Sequence, residues 1–383
     1  MTAQDGRAPR VSRVILSDFR SYPALDLALA GRLVALTGEN GAGKTNLIEA
    51  LSLFTAGRGL RRADLAEMQR ASGAGGFAVS VAVEGAEDAV RLGTGIERLP
   101  DGSLSPRRSR VDGVAVSSPA AFADHLRVVW LTPALDALFT GAAGDRRRFL
   151  DRLVLALDAR HGSRVSAYER ALRSRNRLLE EPRPDRAWLD GIEGEAATLA
   201  AAVATARMRM AGPLADLAAG TRDDAAAFPW ADLAIEGEIE AIASSDEAAA
   251  AERMKQLLRD GRPRDAAAGR ALAGPHTSDV KVRHGPKDVA AERASTGEQK
   301  ALLVGIVLAH ARLVASVSGL APLVLLDEVA AHLDRRRRAA LYAALDALGS
   351  QVFMTGADPA LFGELPAGAE IFSVASGNVT PLR

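Results

Sequence analysis

The segment Gly38-Glu39-Asn40-Gly41-Ala42-Gly43-Lys44-Thr45 constrains this chain more than any other. It fits G-x-x-x-x-G-K-[ST] in full, and it follows Leu33-Val34-Ala35-Leu36, an apolar run of the kind a fully buried strand shows. A helical pattern begins near Lys44 and continues through Ile48, Leu51 and Leu53. Strand, glycine loop, helix is the order a phosphate-binding loop needs. The glycines let consecutive backbone N–H groups turn inward around a phosphate chain, and the helix start adds the positive end of its dipole. Lys44 is then placed to reach the β- and γ-phosphates and Thr45 to ligate Mg²⁺, with Asn46 beside them in the same contact set.

Two later segments complete the pattern. Leu323-Val324-Leu325-Leu326 is a second buried-strand run and ends in Asp327-Glu328. Set beside the first strand, Asp327 would hold Mg²⁺ and Glu328 would orient an attacking water, which makes Glu328 and Lys44 the catalytic candidates. Upstream, Ser295-Thr296-Gly297-Glu298-Gln299 opens a long apolar helix. Ser295 and Gly297 are read as further nucleotide contacts; a plain N-cap by Ser295 or Thr296 accounts for the same residues.

Around these motifs the chain divides into three stretches. Residues 1–131 hold the phosphate loop and then a meander of short strands, with Asp112-Gly113 as a tight hairpin turn. Residues 132–271 read as mainly helical, opened by Thr132-Pro133 and broken at Pro182-Arg183-Pro184 and Phe228-Pro229, with a capping box at Ser244 to Glu247. Residues 272–383 return to strand, long helix and strand. The outer stretches read as one α/β unit split by a helical insertion.

Composition sets limits. Lys+Arg and Asp+Glu are 48 each, so nucleic-acid contact must come from a local basic patch. Without cysteine there is no disulfide, zinc finger or thiol nucleophile. Aromatics are 4%, too few for a base-stacking platform. Residues 301–315 form the most apolar run, interrupted by His310 and Arg312, and fall short of the ~20 residues of a membrane span. A cytoplasmic protein is expected.

The phosphate loop, the Ser-Thr-Gly-Glu-Gln segment and Leu-Leu-Asp-Glu, in that order, resemble the ATP-binding-cassette head of transporter ATPases and chromosome-maintenance proteins. Other residues narrow the resemblance to the RecF family: Leu16-Ser17-Asp18-Phe19-Arg20-Ser21-Tyr22, the stretch from Gly141 to Arg152, the helix from Tyr168 to Leu179, and Gly274-Pro275-His276 with Asp279. The sequence departs from that family's pattern in carrying Glu328 where many relatives have a second aspartate and Glu298 where glutamine is common.

The resemblance implies a cassette-type α/β head, with a mixed central sheet plus an antiparallel β-subdomain, carrying an inserted helical arm. It also implies a homodimer that closes with ATP and Mg²⁺ on gapped or junction DNA, single- and double-stranded. That dimer would work with RecR and RecO to load RecA, with slow, DNA-stimulated hydrolysis releasing it. Ser295 of one subunit would complete the other's ATP site. The DNA-facing surface would carry Arg58, Arg61 and Arg62 after the loop helix and Arg107, Arg108 and Arg110 on the hairpin; a solvated arginine face is the alternative. Arg146-Arg147-Arg148 is expected to pack the arm against the head through carboxylates such as Asp145 and Asp151. Other classes stay open: an ATPase subunit of another cassette-type assembly, either a transporter or an SMC-like DNA clamp, and a nuclease with a cassette head, which would need an acidic metal-binding domain after Asp327.

Overall fold

The computed structural model describes residues 8–85, 88–220 and 222–383. They form two compact units, one of Met1–Asp136, Ala225–Phe228 and Thr296–Arg383, the other of Ala137–Asp224 and Pro229–Ser295.

The first unit begins with β1 (Arg10–Phe19), β2 (Tyr22–Ala28), β3 (Leu33–Thr37), α1 (Lys44–Ser52), α2 (Leu65–Met68), β4 (Gly76–Glu84), β5 (Ala89–Glu97), β6 (Arg108–Val111), β7 (Val114–Val116) and β8 (Val128–Leu131). The second unit supplies α3 (Ala143–Leu157), α4 (His161–Leu179), α5 (Arg186–Ala219), β9 (Ala231–Glu236), α6 (Glu238–Ala243), α7 (Glu247–Asp260), α8 (Arg262–Ala268), β10 (Asp279–His284) and β11 (Val289–Ala290). The chain then returns to the first unit with α9 (Thr296–Ser318), β12 (Leu323–Leu326), α10 (Arg335–Ala347), β13 (Val352–Gly356), β14 (Glu370–Ala375) and β15 (Asn378–Pro381).

Two six-stranded sheets build the first unit. One is antiparallel, ordered β2-β1-β4-β5-β6-β7. Its β6–β7 turn places Asp112 (φ 49°) and Gly113 (φ 81°) in the left-handed region, as a tight hairpin requires. The other is mixed, ordered β15-β14-β3-β13-β12-β8, with only β15 antiparallel to its neighbour. Its strands β3, β8, β12 and β13 are buried at every position, which is why they read as unbroken apolar runs. One core joins the inward residues of both sheets, such as Val14, Leu16, Val79, Val81 and Phe353, to Leu47, Ile48 and Leu51 of α1. Each such side chain taken from water contributes about 1.5–3 kcal/mol.

α9 runs 23 residues, beyond the stretch its sequence suggested. It is the one helix among the described residues long and apolar enough to cross a membrane. Here 67% of its most apolar window is buried, and the helix packs on β8 and α10.

In the second unit, Tyr168, Ala171 and Leu172 of α4 meet a run of small residues on α5, Ala196, Ala197, Ala200, Ala201 and Ala204, which lets the helices approach closely. Arg175, fully buried, donates to Glu193 at 2.8 Å, Asp265 at 2.9 Å and the Leu258 carbonyl at 2.6 Å. Arg207 does the same for Asp151 and Glu240, both at closest approaches of 2.8–2.9 Å. Buried charges persist only when paired in this way.

The insertion begins at Ala137 and ends at Ser295, where the sequence suggested 132 and 271. After Gly274 the chain does not rejoin the first unit: β10 pairs antiparallel with β9, inside the second. Thr132-Pro133 opens only a short 3-10 turn, Pro133–Leu135, and the first long helix of the insertion starts at Ala143. Asp246, not a serine, caps α7, accepting from the Ala249 N–H at 2.9 Å. The Arg146–Arg148 cluster bonds within its own unit: Arg146 clasps Asp279 at 2.7 and 2.9 Å, Arg147 donates to the Ser278 carbonyl, and Arg148 pairs with Asp145.

Candidate nucleotide-binding site

β3 delivers the chain into residues 38–43, and α1 leaves it at Lys44. Gly38 (φ 146°), Gly41 (φ 82°) and Gly43 (φ 116°) hold conformations that side-chain-bearing residues rarely adopt. At Gly43 a Cβ would also strike Ser21 Oγ, at 2.8 Å, and the Tyr22 ring; Gly41 faces open space. Tyr22 Oη donates to the Gly43 carbonyl at 3.0 Å, and Asn46 Nδ2 donates to Ser21 Oγ at 2.9 Å, so the β1–β2 turn braces the loop. Burial pushes the Tyr22 hydroxyl pKa up, keeping it a neutral donor. Lys44 is buried, and its Nζ donates to the carbonyls of Gly38 at 2.6 Å and Glu39 at 2.9 Å. The loop therefore curls around its own ammonium.

β12 brings Asp327 to the same end of the sheet. Thr45 Oγ1 donates to Asp327 Oδ1 at 2.9 Å, across the intervening strand β13. Thr355, at the end of β13, donates to the same oxygen at 2.7 Å and accepts the Glu328 N–H at 2.9 Å. A hydroxyl and a buried carboxylate side by side are the hard oxygen donors that suit Mg²⁺. Glu328 holds φ 54°, a left-handed conformation for a residue with a side chain. Such strain is kept where the surroundings over-determine it, and it clusters at functional sites. Thr355 went unnoticed in the sequence, where it reads only as the first polar residue after Val352-Phe353-Met354.

The profile of the RecF/RecN/SMC N terminal domain family matches residues 10–380. The DNA replication and repair protein RecF of Rhizobium meliloti (strain 1021) is 54% identical over 370 residues, covering 97% of this chain and 98% of the relative. The chain belongs to the RecF family. Agrobacterium fabrum (strain C58 / ATCC 33970) has another RecF relative, 53% identical over 371 residues, with 97% and 98% covered. Among solved structures, the recombination mediator protein RecF-ATPrS in the RecFOR pathway superposes with TM-score 0.84 at 20% identity, covering 99% of this chain and 100% of that one. An SmcHead bound to the C-winged helix domain of ScpA gives 0.55 at 16% identity, covering 97% of each chain. The RecF and Smc heads thus share this fold.

Elsewhere in this RecF-family chain, Ser295 immediately precedes α9, and Gly297 lies in its first turn. A Cβ at Gly297 would find only Arg337, at 3.9 Å, so the glycine keeps the surface open there.

The six arginine candidates separate. Arg61 donates to the fully buried Glu49 at 2.7 Å and to Asn46 at 2.9 Å, and Arg20 clasps Glu49 from the other side at 2.9 and 3.0 Å. Arg107 is an internal tie rather than a surface cation. It donates to Thr94 at 2.9 Å, to the Gly57 carbonyl at 3.0 Å and to the Leu53 carbonyl, fastening the hairpin to the segment after α1. Burial pulls its guanidinium down to about 10. Arg58 and Arg108 are exposed but face Asp64 at 3.3 Å and Glu97 at 2.6 Å. Arg62 and Arg110 are exposed, and no ion pair is seen for either among the described residues.

Proposed function

We propose that the first unit is an ATP-driven switch that clamps DNA as a homodimer in recombinational repair and replication restart. The observation that carries this reading is the 2.9 Å link between Thr45 and Asp327, which joins a complete phosphate loop to an acidic strand end. In this reading the N–H groups of residues 38–45 and the Lys44 ammonium bind the phosphates. Thr45 and Asp327 hold Mg²⁺, which would neutralise charge between the β- and γ-phosphates. Glu328 orients the attacking water. Ser295 and Gly297 complete the partner subunit's site across a two-fold axis. Hydrolysis is slow and releases the dimer, so the nucleotide acts as a timer. The DNA is a gapped or junction structure held mainly through phosphates. RecR and RecO are the proposed partners and RecA loading the outcome, with the cytoplasm as the compartment.

Sedimentation with and without ATP and gapped DNA tests the reading. The expected result is a dimer only with ATP, retained on DNA, and lost with ATP binding in Lys44→Ala. Near wild-type ATP affinity in folded Lys44→Ala would refute it.

A further inference from the structure

Of the five lysines in a chain with 48 basic residues, two lie in the first unit: Lys44 of the phosphate loop, and Lys300. Arginine fills nearly every other basic position. Lysine offers a compact ammonium on a flexible stem where arginine offers a planar fork. Lys300 lies one turn into α9, and its Nζ meets Asp136 Oδ2 at 2.8 Å. The Lys300 side chain is 18% exposed.

Asp136 closes the short turn after β8. Its N–H donates to the Pro133 carbonyl, and the Leu135 N–H to the Thr132 carbonyl, both at 3.0 Å. β8 pairs in register with β12, Leu131 opposite Leu326, and the Asp327 N–H donates to the Leu131 carbonyl at 2.9 Å. A continuous path of bonds therefore runs from the start of α9 through Asp136 and the end of β8 to Asp327. Beneath the ion pair lies a cavity lined by Leu131, Pro133, Leu303, Val304 and Leu333, with Asp327 in its wall. Lys300 and Asp136 also line this cavity, so their ion pair is a polar link between the first turn of α9 and the turn after β8.

We propose that Lys300 and Asp136 are a positioning pair that sets the start of α9, and with it the Ser295–Gly297 segment, in register with the Asp327–Glu328 strand end. This deepens the ATP-switch reading and rests on it. In this proposal the pair acts through the segment it holds, and neither residue is assigned a contact to the nucleotide.

The experiment compares wild type, Lys300→Met, Asp136→Asn and the charge swap Lys300→Asp/Asp136→Lys. Labelled-ATP affinity, kcat, ATP-dependent sedimentation and thermal unfolding are measured on each. Expected are unchanged ATP affinity and unfolding in the single variants, a kcat at least tenfold lower, a matching loss of dimer, and recovery of at least half the lost dimer in the swap. Lys300→Arg should resemble the single variants. Wild-type kcat and dimerisation in both single variants would overturn the proposal, as would losses that follow lowered thermal stability and are not relieved by the swap. Failure of the wild type to bind ATP would instead refute the underlying switch reading.

Discussion

Replacing Arg62 or Arg110 by alanine should make the salt dependence of duplex binding shallower by about 0.9 per residue in the slope of log K against log[salt], one phosphate contact each. Both side chains are exposed and carry no ion pair among the described residues. Their charges are available to displace counterions. Arg61→Ala should leave the slope unchanged, because its guanidinium is held against Glu49 at 2.7 Å and Asn46 at 2.9 Å and is not free to reach a phosphate. Arg107→Ala should also leave the slope unchanged, but lower stability by about 2–3 kcal/mol through lost internal bonds at the hairpin base. Arg58 must first release Asp64, so its effect is partial. The triple variant Arg58→Ala/Arg61→Ala/Arg62→Ala should then lose roughly 1–2 from the slope, where three free arginines would remove about 2.7. Fluorescence anisotropy of a labelled duplex with ATP, over roughly 50–200 mM salt, reads the slope directly. A shallower slope in Arg61→Ala with unaltered thermal unfolding, or an unchanged slope in both Arg62→Ala and Arg110→Ala, would refute this assignment.

Glu328→Gln keeps the shape and the N–H bond to Thr355 while removing the water-orienting carboxylate. ATP should still bind and the dimer persist, so turnover equal to wild type in a stopped assay counts against Glu328. Ser295→Arg should leave ATP binding to the monomer intact and block ATP-dependent dimerisation, whereas a plain N-cap role predicts a stability loss of about 1 kcal/mol with the dimer untouched; light scattering distinguishes them. The Asp151 carboxyl is pushed up by burial, but the His161 hydrogen bond and the Arg207 charge outweigh that and hold it at about 2. Its contribution to second-unit stability is thus present above roughly pH 4 and lost as pH falls through about 2. Asp151→Asn should flatten that acid limb in circular dichroism and cost about 2 kcal/mol at neutral pH; an unchanged acid limb argues against the pairing.

The loop and the two strand ends around it were readable because local chemistry dictates them. Gly38, Gly41 and Gly43 must take unusual backbone angles, and the unbroken apolar runs before Gly38 and Asp327 have few alternatives to a buried parallel strand. What depends on distant pairing was not readable. Val280-Lys281-Val282 announces a strand, yet nothing in those residues says its neighbour is β9, within a stretch of helical composition, so the insertion's end was placed too early. Arg107 and Arg110 look alike in sequence, and only the carbonyls around Arg107 separate an internal tie from a free cation. Thr355 gained its meaning from Asp327, 28 residues upstream on the adjacent strand.

The strand that carries the phosphate loop has both its neighbours at the far end of the chain. β3 lies between β13 and β14, and neither has been synthesised when Thr37 leaves the ribosome. Roughly 300 residues must follow before β3 can pair, which at 5–20 residues per second is about 15–60 s of translation. The second unit, with its own core, ends at Ser295 and so is complete before β13 begins at Val352. Until then the apolar segment Leu33–Thr37 lacks the neighbouring strands that bury it in the finished sheet. A fragment cut between α1 and β13 carries the whole glycine loop but lacks both strands that flank β3.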